Sequence, residues 1–201
     1  MNVQKIRKDF PVLRENDLIY LDNACMTLRP EQVWEEMERY YKNFPGCPGR
    51  SHHRLSERAT EAVENGREKV ADFLGAKKKG EIIFTRNTTE AINLVANSLD
   101  LDRNDEVVTS DREHNSNLLP WQKLEERKGV KHVIAESKEN SEFSMDDFKD
   151  KLSEKTELVS VVHTSNLDGY TLPVEKITEM AHEKDALVLV DGAQSAPHKP
   201  I

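Results

Sequence analysis

From residue 81 onward the sequence predicts an α/β fold: a three-layer α/β/α sandwich around a mostly parallel sheet, preceded by an N-terminal helical extension. Two observations lead there. Five strand-like runs, 81–85, 105–109, 130–135, 157–163 and 186–191, alternate with helical patterns at 88–99, 116–128, 144–152 and 173–184. Strand-helix-strand alternation is the grammar of a parallel sheet with crossover connections. The last run, Ala186-Leu187-Val188-Leu189-Val190, has no polar alternation, as expected of a strand covered on both faces.

Residues 1–20 hold short helical or extended pieces around Phe10-Pro11. Pro30 suits the first turn of a helix, where its missing N–H costs nothing. After it Val33, Met37, Tyr40 and Tyr41 recur at helical spacing. Phe44-Pro45-Gly46-Cys47-Pro48-Gly49 then predicts a loop. A second helix runs from about Ser56 to Leu74, with Ala59, Val63, Val70 and Leu74 on one face. Residues 1–55 are therefore a helical and loop segment, and 56–201 carry the sheet-bearing domain. Within it, Ser144 stands three residues before Asp147, a capping signature. Pro173 suits the first position of the helix it opens.

Composition narrows the function. The 201 residues are 33% charged and 36% hydrophobic, with a net charge of -8. So little hydrophobic content fits a chain that leans on a partner surface, and equally a halophilic or very soluble protein. No basic stripe is present to neutralise phosphates, so nucleic acid is not an expected partner. The run Lys77-Lys78-Lys79 reads as a solvated loop. No apolar run is long enough to span a bilayer, and Met1–Phe10 is not followed by an apolar signal region, so a cytoplasmic location is expected. Two cysteines, Cys25 and Cys47, make no disulfide framework. Cys47 with His52 and His53 fits no standard zinc spacing, and no metal is expected.

In open α/β sheets ligands bind at the carboxyl ends of strands, so the turns after each strand are where chemistry is sought. Arg86-Asn87-Thr88-Thr89 offers two hydroxyls and free backbone N–H groups at a helix start, an anion site or simple capping by Thr88. The turn 111–117 carries His114, either a ring to stack on an aromatic cofactor and exchange protons near neutral pH, or a surface histidine. The turn 163–169 carries Asn166, a ligand contact or a turn residue ahead of Gly169. Asp191-Gly192-Ala193-Gln194 closes the aliphatic strand. Asp191 there either caps the loop or is a partly desolvated carboxylate in need of a partner. A protonated pyridine nitrogen is such a partner, and keeping it protonated is how a protein makes pyridoxal 5′-phosphate (PLP) an electron sink. Four polar turns at successive strand ends point to one site.

Together these segments resemble the class V aminotransferase family of fold-type I PLP enzymes, and within it the SufS-type cysteine desulfurases. The resemblance is carried by Tyr20-Leu21-Asp22-Asn23-Ala24, Leu28-Arg29-Pro30, the run 84–96 around Thr88-Thr89, Glu113-His114-Asn115-Ser116-Asn117, Ser165-Asn166 and Asp191–His198. It implies that Thr88 and Thr89 hold the PLP phosphate and that His114 stacks on the pyridine and takes part in proton transfer. Asp191 would pair with the ring nitrogen, and Asn166 and Gln194 would contact the ring hydroxyl or the substrate. His53 falls near the region that closes over the site in relatives. The implied reaction takes sulfur from L-cysteine, giving alanine and a persulfide, for a sulfur-acceptor protein.

Two local departures stand out. Asn87 replaces the usual glycine, a change acceptable if the turn uses left-handed backbone angles. Ala24-Cys25-Met26-Thr27 replaces small residues and a threonine, so Cys25 reads as a small packing residue rather than a nucleophile. The resemblance also places the Schiff-base lysine, the substrate-carboxylate arginine and the persulfide cysteine after residue 201, with 81–85 separated from the other strands by a gap that later strands fill. The expected partner is then a complementary C-terminal half or a homodimer, and the isolated chain is expected to show no turnover. The alternatives are a non-catalytic PLP-binding or regulatory module, and part of a selenocysteine lyase or another class V enzyme.

Overall fold

The computed structural model describes residues 2–138 and 142–200. They form two compact units, residues 2–83 and Phe84–Pro200.

The first unit holds α1 (Val3–Arg7), α2 (Pro11–Arg14), α3 (Glu31–Asn43), α4 (Arg54–Leu74) and a single 3₁₀ turn, Lys79–Glu81. It takes in α4, which the sequence reading grouped with the sheet. Pro30 is the cap of α3 rather than part of its first turn. Gly75 ends α4 in the left-handed conformation (φ 66°), which a glycine adopts without a Cβ clash. The apolar spacing of α3 has its expected outcome: Val33, Met37, Tyr40 and Tyr41 line an open groove of about 400 Å³ with Ala59 and Val63 of α4. Phe44, only 2% exposed, anchors the loop between the helices. Tyr40 meets its ring edge-on, and the guanidinium groups of Arg39 and Arg58 lie 5.0 and 4.8 Å from its centre. The loop is tied down by Tyr40 Oη donating to the Gly46 carbonyl (3.1 Å) and Ser56 Oγ donating to the Cys47 carbonyl (2.8 Å).

The second unit contains α5 (Thr88–Ser98), β1 (Glu106–Ser110), α6 (Asn115–Lys128), β2 (Lys131–Ala135), α7 (Met145–Lys149), β3 (Thr156–Val162), α8 (Val174–His182) and β4 (Leu187–Asp191). The four strands form one parallel sheet in the order β2-β1-β3-β4. Successive side chains of a strand point to opposite faces, and the core divides accordingly. Val107 and Leu158 pack with Ile92 and Ala96 of α5 and Trp121 and Leu124 of α6. Val108, Val159 and Val161 pack with Phe148 of α7 and Ile177 and Ala181 of α8. The sandwich is therefore three-layered. Ser144 caps α7 as its spacing predicts, accepting from the Asp147 amide at 3.3 Å. Pro173 is the cap residue of α8 rather than its first helical residue.

Two expectations change. Residues 82–85 do not form a strand. They follow the 3₁₀ turn, and Ile82 has extended angles (φ -95°, ψ 124°), but no ladder forms there among the described residues. Extended propensity in Ile-Ile-Phe-Thr makes a strand only beside a neighbour, and Ile83 and Phe84 remain exposed. The aliphatic strand β4 is not covered on both faces either. It is an edge of the sheet, with Leu187 58% and Val190 42% exposed, so its unbroken hydrophobic run does not report two buried faces here.

Gly46 supports a specific test. A Cβ at this position would lie 2.6 Å from the Leu55 carbonyl carbon and oxygen and from the Ser56 nitrogen, all backbone that cannot swing aside. Gly46→Ala is expected to destabilise the first unit by about 1–3 kcal/mol, as overpacking against fixed backbone does. Thermal denaturation followed by circular dichroism checks it; an unchanged midpoint would show that the loop can move away from α4.

Candidate active site

The sheet order sets the site. The chain runs from β1 outward to β2, then returns to place β3 on the other side of β1. Helices α6 and α8, which follow the neighbouring strands β1 and β3, pack on opposite faces. Their connecting loops must therefore diverge, opening a crevice at the carboxyl ends of the two strands. This reversal point is where doubly wound sheets bind ligands. The loops carrying His114 and Asn166 border it, and Asp191 ends the next strand along.

Asp191 is 4% exposed and stands in register with Val162 of β3. Its Oδ1 accepts from the Ala193 amide at 3.0 Å, so it does cap its own loop. Among the described residues, however, no lysine, arginine or histidine forms an ion pair with it. Gln194 is half-buried in the tight turn that follows, which is closed by the Ser195 and Ala196 amides donating to the Gly192 carbonyl.

Thr88 and Thr89 are the first two residues of α5. The cap is Asn87 rather than Thr88: its Oδ1 accepts from the Glu90 amide at 2.9 Å. Asn87 is fully extended (φ -168°, ψ 172°), so the expected left-handed turn is not used, and asparagine serves here through its side chain. With Asn87 occupying the Glu90 amide, the Thr88 and Thr89 amides have no partner among the described residues at the helix start, where the macrodipole favours an anion. Glu90 is held back by Arg86, which pairs with it at 3.1 Å.

His114 caps α6. Its Nδ1 lies 3.2 Å from the Ser116 amide, which donates to it, and 2.6 Å from Ser116 Oγ. That use of Nδ1 as acceptor places the ring hydrogen on Nε2 and leaves the imidazole exposed with a defined orientation. His114 and Thr89 line one depression of about 350 Å³ with Asn93 and Leu119, so the structure brings these two together. Asn166 is exposed in a turn closed by the Gly169 amide to the Ser165 carbonyl (3.1 Å) and the Ser165 amide to the Tyr170 carbonyl (2.9 Å). Gly169 sits at φ 72°, which explains its place in that turn.

His53 belongs to the first unit, where its Nδ1 caps α4 by accepting from the Ser56 amide at 3.4 Å. Both cysteines are exposed. Cys25 is therefore not the packing residue the sequence suggested; the segment around it forms a surface turn.

Sequence reasoning assigned no role to Glu113. Its carboxyl lies in the crevice, accepting from Ser110 Oγ, from Asn117 Nδ2 at 2.6 Å and from the Val162 backbone. Asn117, fully buried, also accepts from Ser160 Oγ at 2.6 Å. The cluster ties β1, β3 and the start of α6 together at the point where they diverge. Burial, reinforced by repulsion from Asp191, pushes the Glu113 carboxyl up to about 7 against the pull of its three donors.

A raised carboxyl in the folded state has a definite consequence for stability. Below about pH 4.5 both states hold the proton and Glu113 contributes nothing; between there and about 7 the unfolded chain ionises first, and stability falls as pH rises. The full penalty, at most about 3 kcal/mol, is present above that window. Glu113→Gln imitates the protonated form, donating toward Ser110 while still accepting from Asn117. Urea denaturation is expected to show the variant gaining stability over wild type as pH rises from about 5 to about 8. A difference that does not vary with pH would remove the proton from Glu113.

The class-V aminotransferase family pattern matches residues 19–201. A probable cysteine desulfurase from Synechocystis is 45% identical over 203 residues, covering 98% of this chain and 48% of the relative. A probable cysteine desulfurase from Halalkalibacterium halodurans is 40% identical, covering 100% of this chain and 51% of the relative. Among solved structures, a cysteine desulfurase from Thermococcus onnurineus superposes with a TM-score of 0.90 at 39% identity over 98% of this chain and 49% of its own. The cysteine desulfurase CsdA from Escherichia coli does so with a TM-score of 0.87 at 32% identity, over 100% of this chain and 51% of its own. The chain thus spans about half the length of the relatives it matches. It belongs to the class-V aminotransferase family.

Proposed function

We propose that this chain forms the cofactor-holding face of a PLP-dependent cysteine desulfurase. The observation that carries the reading is Asp191, a carboxylate 4% exposed at a strand end with no cationic side chain paired to it among the described residues. Burying such a group is costly without a positive partner. A protonated pyridine nitrogen supplies that partner, and the Asp191 environment fits it. When bound, PLP supplies an electron sink for bond breaking next to the substrate amine.

The chain's own residues then divide the work. The Thr88 and Thr89 amides and hydroxyls at the start of α5 take the phosphate. The imidazole of His114 would lie against the ring, with Nε2 as the position that exchanges a proton. Asn166 and Gln194 would contact the ring hydroxyl or the substrate. In the net reaction the Cβ–S bond of L-cysteine breaks, the sulfur passes to a protein thiol as a persulfide, and a proton takes its place on Cβ to give alanine. We place the covalent lysine, the carboxylate-binding arginine and the acceptor thiol outside these 201 residues, in the same protein or in its partner subunit. A cytoplasmic enzyme acting as a homodimer and handing sulfur to an acceptor protein completes the reading.

The test uses the assembled protein that contains this chain. It is expected to carry PLP and to form alanine from L-cysteine. Asp191→Ala is expected to weaken PLP retention at least about tenfold, the scale of losing one partner of a buried charge pair. Absorbance of the bound cofactor after gel filtration reads retention. Equal occupancy in Asp191→Ala would remove Asp191 from the site, and absence of both PLP and alanine in the wild type would overturn the function.

A further inference from the structure

We propose that Arg112 is a positioning residue that clamps the Asn166 turn to the His114 loop across the crevice, fixing Asn166 for its contact with the bound ring or substrate. This rests on the PLP reading above.

The two loops leave the sheet toward opposite faces, so nothing in the backbone ladder holds them at a set separation. Arg112 stands two residues before His114, and Asp168 two residues after Asn166. The Arg112 Nη1 donates to Asp168 Oδ2 at 2.9 Å. The guanidinium carbon also lies 4.4 Å from the ring centre of Tyr170. The Arg112 side chain is only 11% exposed, whereas that of Asp168 is 53% exposed. A single side chain thus grips the turn at two points by two kinds of interaction, a charge-assisted hydrogen bond and a cation–π contact.

The turn transmits that grip. The Tyr170 amide donates to Asp168 Oδ1 at 3.0 Å, leaving Oδ2 for Arg112. The Leu167 amide donates to Ser165 Oγ, and the Gly169 amide to the Ser165 carbonyl. Asp168 cannot shift without carrying the turn that includes Asn166. The Asn166 side chain itself has no intramolecular partner among the described residues, so its orientation depends on the backbone beneath it. The Tyr170 amide, and after it Arg112, hold the Asp168 carboxyl below the usual carboxylate range, so the clamp stays charged through neutral pH. Lysine could supply the charge but not the flat face over Tyr170.

The experiment measures PLP release and the visible circular-dichroism band of the bound cofactor in the assembled protein. The variants are Arg112→Met, Arg112→Lys, Asp168→Asn, Asn166→Ala and the double variant Arg112→Met/Asn166→Ala. Asp168→Asn alters an exposed group and keeps the test open if Arg112→Met folds poorly. Asp168→Asn and Arg112→Met are expected to release PLP about fivefold faster and to change the band, with Arg112→Lys in between. In the Asn166→Ala background, Arg112→Met is expected to add nothing, because both act through one contact. A purely structural ion pair would add its effect in that background, and that result overturns the proposal. So do release rates and a band unchanged in the single variants of a wild type that holds PLP. A wild type that takes up no PLP overturns the functional reading together with the clamp.

Discussion

Much of this molecule follows from the reversal of strand order between β1 and β3. Parallel strands need long crossovers, and a crossover helix must cover one face of the sheet or the other. Once α6 and α8 are committed to opposite faces, the loops that lead to them cannot pack on each other along their whole length. A gap at the strand ends is then a geometric necessity. The buried cluster of Ser110, Glu113, Asn117 and Ser160 closes the floor of that gap with polar groups that satisfy one another. Arg112 and Asp168 span it above. Core and crevice are two outcomes of one topological choice.

The same choice explains the electrostatics. Two carboxyl groups, Glu113 after β1 and Asp191 at the end of β4, lie at the carboxyl ends of strands separated by β3. Burial pushes the Glu113 carboxyl up, and repulsion from Asp191 adds to it, against three donors that pull the other way. Asp191 has no cationic side chain paired to it among the described residues, so the two acids stand in different surroundings.

How much of this was legible in the sequence depended on how local each feature is. The strands at 105–109, 130–135, 157–163 and 186–191 and the helices between them emerge close to their expected places because hydrophobic period and capping residues act within a few positions. The run 81–85 has the same local chemistry, yet strand formation needs a neighbour that local chemistry cannot name. The exposed aliphatics of β4 were misread for a related reason: a continuous hydrophobic run states what the residues prefer to contact, not whether the contact is present. His114, Asn166, Asp191 and Gln194 are expected from strand ends that do form, whereas Thr88 and Thr89 are expected from the end of a strand that does not. Glu113 was overlooked in a stretch of charged and polar residues. Its spacing to Asn117 and Trp121, at i+4 and i+8 along the run that leads into α6, was the available signal that it points inward. Arg112 and Asp168 lie 56 residues apart, and nothing local links them.

That separation has a consequence for how the protein comes to be. The ladder between β1 and β3 joins segments about fifty residues apart, and such pairings close late because a long loop must be ordered before any contact repays it. The crevice does not exist before that closure. A partly folded chain would display the start of α5 and the His114 loop but not the Asn166 turn, so the two sides of the crevice meet only when the sheet has registered correctly. Occupancy by a tight ligand then draws the population toward that state by mass action. A ligand held from both sides would act as a check on assembly, retained only where distant segments have already met.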